Sequence, residues 1–124
     1  MRLLPISASL ACLILAGCGG KKLPPETDAA KGRELMKTVL DAWKRGGTAE
    51  ELRNASPAVV ARDPDWLAGY KLTNYEVGAE DARAGLDLLL TVKLNLIRPD
   101  GRPQEKRVRY TVGIGPSTVV LRAE

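Results

Sequence analysis

Residues 86–97 read Leu-Asp-Leu-Leu-Leu-Thr-Val-Lys-Leu-Asn-Leu-Ile, and this stretch decides the fold. Leu86, Leu88, Leu90, Val92, Leu94 and Leu96 recur at every second position. Asp87, Thr91, Lys93 and Asn95 take the alternate positions, with Leu89 and Ile97 as exceptions. Successive side chains of a strand point to opposite faces. A two-residue period sustained this long therefore specifies an antiparallel strand, covered on one face and wet on the other.

Working outward from it, Arg98-Pro99-Asp100-Gly101-Arg102-Pro103 reads as a turn, because proline presets the first turn angle and glycine admits positive φ. The segment that follows alternates again. Val108, Tyr110, Val112 and Ile114 are expected to face inward, and Arg107, Arg109 and Thr111 outward. Gly113 to Pro116 turns the chain once more, and Ser-Thr-Val-Val-Leu-Arg-Ala at 117–123 supplies a last strand. An earlier strand over about 70–78 is expected to join the same sheet.

Upstream the period changes. Leu35, Met36, Val39, Leu40 and Trp43 are spaced as one stripe of a helix over 29–45, with Lys37, Asp41, Lys44 and Arg45 on the other side. Thr27 or Asp28 can cap its start, and Gly46-Gly47 ends it. Thr48-Ala49-Glu50-Glu51 matches a capping box and predicts a short second helix through Asn54. Ser56-Pro57 stops it, since a residue before proline avoids the helical region. Ala58 to Arg62 reads as extended, and Asp63-Pro64-Asp65 as a turn from which Trp66 and Leu67 fold back onto the core. The fold class expected is thus α+β: an N-terminal helix and a short second helix packed on a four-stranded antiparallel meander. This order of elements resembles the cystatin-like and nuclear-transport-factor-2-like folds, and implies a long helix packed into a curved sheet. Asp65-Trp66-Leu67-Ala68-Gly69-Tyr70-Lys71-Leu72, with Tyr75, is similar to small uncharacterised secreted proteins of planctomycete-type bacteria, a group that implies no activity.

The N-terminus carries an address. Met1-Arg2 is followed by an uncharged, mostly apolar run, Leu3 to Gly17, of signal-peptide length and too short to span a bilayer. Leu15-Ala16-Gly17-Cys18 resembles the lipobox of bacterial lipoproteins. The resemblance implies a signal peptide at 1–17, cleavage between Gly17 and Cys18, and a diacylglyceryl group on the Cys18 thiol, often with a further acyl chain such as palmitate on its amine. It implies a protein held in the cell envelope by lipid. Gly19, where an enteric-type retention signal would place aspartate, leans towards the periplasmic side of the outer membrane. Residues 18–28 then read as lipidated cysteine and flexible tether, with Gly19-Gly20, Lys21-Lys22 and Pro24-Pro25, and 29–124 as a single domain. Which membrane holds the anchor stays open.

Composition limits the chemistry. The 124 residues contain no histidine and only two cysteines, Cys12 in the leader and Cys18 at the proposed lipid site. The commonest neutral-pH base and the commonest metal ligand are therefore missing, along with thiolate ligands in the domain. No metal, cofactor or catalytic residue is expected. A net charge of +4 is a mild excess and does not suggest a nucleic-acid binder.

Three constellations stand out. Lys93, Arg107 and Arg109, with Lys71 or Arg122, would share the outward sheet face and could meet an anionic partner, or merely keep that face solvated. Trp43, Trp66, Tyr70 and Tyr110, with Tyr75, could line a pocket between helix and sheet, or fill the core. A buried tyrosine beside a carboxylate could polarise a carbonyl, as in steroid isomerases. Asp63, Asp65, Glu80 and Asp81 could hold calcium weakly, or serve only turns and solubility. The reading adopted is a lipid-anchored, non-catalytic interaction or assembly module with an envelope protein as partner. The alternative is a carrier of small apolar ligands.

Overall fold

A computed structural model describes residues 25–123. The leader, the lipobox resemblance at 15–18 and most of the tether lie outside the described residues.

Helix α1 (Ala29–Lys44) begins where Asp28 accepts hydrogen bonds from the Ala30 and Lys31 amides. An aspartate N-cap satisfies donors that the first turn leaves orphaned. Met36, Val39, Leu40, Ala42 and Trp43 are buried on one face. Helix α2 (Ala49–Arg53) is capped by the Thr48 hydroxyl, which accepts from the Glu51 amide at 3.2 Å. Strand β1 (Val60–Arg62) follows, then a single helical turn, α3 (Pro64–Leu67), where only a turn was expected. Asp63 caps it and Pro64 needs no amide partner at the first helical position.

The remaining strands are β2 (Lys71–Val77), β3 (Ala82–Ala84), β4 (Asp87–Ile97), β5 (Pro103–Gly113) and β6 (Val119–Arg122). The fold is α+β, but the curled sheet has six strands in place of four. Strand order is β1-β6-β5-β4-β2, all antiparallel except β1, which runs parallel to β6. β3 pairs with the start of β4, along the edge whose later part β2 occupies. The two extra strands are three residues each, too short to show a period in sequence.

The inward set of β4 is as its alternation demands: Leu88, Leu90, Val92, Leu94 and Leu96 are all within 1% of full burial. Val108, Tyr110, Val112, Val120, Leu72 and Ala61 join them, and α1 covers this face. Each fully buried Leu or Val contributes about 1.5–3 kcal/mol of transfer free energy. Two expected members are missing. Leu86 lies in the β3–β4 turn next to Gly85, whose φ is +65°, and is 42% exposed; Ile114, beyond the end of β5, is 38% exposed. Leu67 also stays outside, at 79% exposure. The folded body begins before α1. Thr27, assigned above to the tether, is buried, its amide donates to Leu86 O at 3.0 Å, and its hydroxyl accepts from the Ile114 amide.

Candidate functional site

The outer face of the sheet carries charge in rows. Register places Glu76 of β2 opposite Lys93 of β4, and Lys93 opposite Arg107 of β5. Neighbouring strands lie about 4.8 Å apart, so these three backbones form a row about 10 Å wide. Thr91 and Arg109 form the next row, two residues along. Lys93, Arg107 and Arg109 are thus brought together as the alternation implied. Beside them runs the segment 78–81 that follows β2. Gly78 starts it, donating its amide to Thr91 O at 2.7 Å; a Cβ on Gly78 would sit 3.1 Å from that oxygen. Asp81 ends it, pinned to Arg33 of α1 at 2.6 Å. Together they enclose an open groove of about 770 Å³ lined by Glu76, Glu80, Thr91, Lys93, Arg107 and Arg109, with residues 77–79. Lys93 also reaches Glu105 at 3.7 Å.

Sequence reasoning named Glu80, as a weak calcium ligand, but missed Glu76. Strict alternation from buried Leu72 would send Glu76 inward. A bulge between Leu72 and Asn74 inserts one residue, so Asn74 and Glu76 turn outward and Tyr75 inward. Tyr75 then donates to Asp41 of α1 at 2.6 Å; burial and that carboxylate push its pKa up to about 12. Lys71 stands opposite Ile97, at the far end of β4 from the groove.

Arg122 is not on the outer face. Register with Tyr110 puts it inside, where it donates to Asp63 at 2.8 Å and Asp65 at 3.1 Å. Asp63 also accepts the Tyr110 hydroxyl and the Asp65 and Trp66 amides. Lys106 reaches both oxygens of Asp65, at 3.0 and 3.1 Å, and lies over the Tyr70 ring. Asp63 and Asp65 are therefore held by cations and a phenol, not arranged around a calcium ion. Burial and the Asp63 charge hold the Tyr110 hydroxyl far above its ordinary pKa. For Arg122 burial acts downward, but the two carboxylates outweigh it and the net shift is upward.

The expected pocket residues fill the space between helix and sheet. The Trp43 and Trp66 rings stack at 5.4 Å, and their indole N–H groups donate to Tyr70 O at 2.9 Å and Gly47 O at 3.1 Å. The void left among Val39, Leu40, Trp43, Trp66 and Tyr110 is about 10 Å³. An apolar ligand needs on the order of 300 Å³. The void among these five residues is far smaller than that.

No protein-family model, curated protein or solved structure matches this chain.

Proposed function

We propose that this protein is a lipid-anchored module of the cell envelope that holds an anionic segment of an envelope partner in its outer-face groove and performs no reaction itself. One observation carries the reading: β4–β5 register sets Lys93 against Arg107, with Arg109 two residues along, in an open groove. Among the described residues Arg107 has no ion-pair partner. Cations so placed raise the local potential and draw in an acidic ligand. The anchor follows from the Leu15–Cys18 resemblance. Two acyl chains hold a protein far more firmly than one. The eight residues from Gly19 to Glu26 reach at most about 28 Å, which keeps the groove near the membrane surface.

The test is site-specific photo-crosslinking in native membranes, from a reactive residue at Thr91 and, separately, at Lys37 on α1. A species captured from position 91, and lost in the double variant Lys93→Glu/Arg107→Glu, supports the proposal. The same species captured equally from position 37 overturns it.

A further inference from the structure

The groove is lined by both signs of charge, the acids on the β2 side of the bases. Lys93, Arg107 and Arg109 lie on β4 and β5, whereas Glu76 lies on β2 and Glu80 in the segment that follows it. Glu76 and Glu80 have no ion-pair partner among the described residues, although Glu76 lies directly opposite Lys93. Lys93 turns instead towards Glu105 on its other side. An exposed cross-strand pair would ordinarily close on itself. Here the acids and the bases line one open groove of about 770 Å³ without pairing with each other, a volume in the range of small-ligand sites.

We infer that the groove takes a dipolar ligand: a short peptide-like molecule whose carboxylate meets Lys93 and Arg107 and whose amine meets Glu76 and Glu80. This deepens the anionic-partner reading and rests on it, but adds a requirement that reading lacks. The ligand needs a positive end about 5–10 Å from its negative end, the width of one to two strand spacings. A chain of three extended residues spans that distance. Thr91, between the two sides on β4, supplies a hydroxyl that donates or accepts to the ligand's amide groups.

The experiment uses the full chain with Cys18→Ser, observed by amide NMR at low salt, titrated with triglycine, N-acetyl-triglycine and triglycine amide. Triglycine carries both charges, and the other two carry only the acid or only the amine. Triglycine is expected to shift the Thr91, Lys93 and Arg107 amides at about threefold lower concentration than N-acetyl-triglycine, the gain of one exposed ion pair. In the double variant Glu76→Gln/Glu80→Gln the two probes should become equal, and in Arg107→Gln both should weaken. Equal titration of the wild type by triglycine and its acetylated form overturns the dipolar inference and leaves the anionic reading standing. No shift with any probe, in a protein whose spectrum is that of the folded chain, overturns both.

Discussion

Replacing Asp63 by alanine should destabilise the protein by about 3–5 kcal/mol, the usual cost of stripping one partner from a buried ion pair. Asp63 is 4% exposed, and so is its side chain, while the Arg122 side chain beside it is 8% exposed. Three kinds of bond end on that carboxylate. The cap of α3 is lost with it, worth about 1 kcal/mol. The Tyr110 hydroxyl, 2% exposed as a residue, loses its acceptor, worth about 1–3 kcal/mol. Arg122 keeps Asp65 but loses the 2.8 Å contact to Asp63, worth a further 1.5–3 kcal/mol if it stood alone. These bonds share one carboxylate, so their costs overlap and do not add. Asp63→Asn keeps a cap and an acceptor of the same shape, and should cost about half as much. Urea unfolding at pH 7 is the assay. With a slope of about 1.5 kcal/mol per molar, the alanine variant should lower the midpoint by about 2–3 M. A loss below about 1 kcal/mol for Asp63→Ala would mean that the cluster is solvated in the native state, and the account of α3 and β6 would fail.

Raising pH should weaken the fold through Tyr110. Its folded pKa lies above the unfolded value near 10, so above that pH the unfolded chain has lost a proton the native chain retains. Stability is then full below about pH 10 and falls by up to about 1.4 kcal/mol per pH unit beyond it, a slope that Tyr110→Phe should reduce in alkaline urea melts. Gly32→Ala should destabilise by about 1–2 kcal/mol despite the better helix propensity, because its Cβ would lie 2.6 Å from Leu88 Cδ2 and Leu88 is fully buried; a gain in thermal midpoint would contradict this. Leu67→Ser, at 79% exposure, should shift stability by no more than about 0.5 kcal/mol in the same melts. Intact mass of protein extracted from membranes should correspond to residues 18–124 plus a diacylglyceryl group, and Cys18→Ser should leave the membrane fraction; an unmodified thiol at Cys18 would remove the anchor from the account.

The sheet was legible wherever the period ran long. The inward set of β4 could be read residue by residue, and with it the common face of Lys93, Arg107 and Arg109, because alternation over a long strand leaves one solution. The helix stripe through Met36, Val39, Leu40 and Trp43 was equally plain. What stayed hidden depended on single residues or on distant pairing. One inserted residue in β2 moved Glu76 into the groove and Tyr75 onto α1. Three-residue strands carry no period, so the parallel pairing of Val60 with Val119 could not be foreseen. Asp63 looked like a turn residue because it is one. That the turn also delivers it to Tyr110 and Arg122, 47 and 59 residues away, is set by tertiary packing alone.

The outer-face groove as a seat for negative charge is tested most directly with an acidic decapeptide of glutamate, titrated into the Cys18→Ser chain at rising salt. The account predicts amide shifts confined to residues 76–80, 91–93 and 107–109, weakening steeply with salt and abolished by Lys93→Glu/Arg107→Glu. Shifts spread over α1 or unchanged by that double reversal would contradict it.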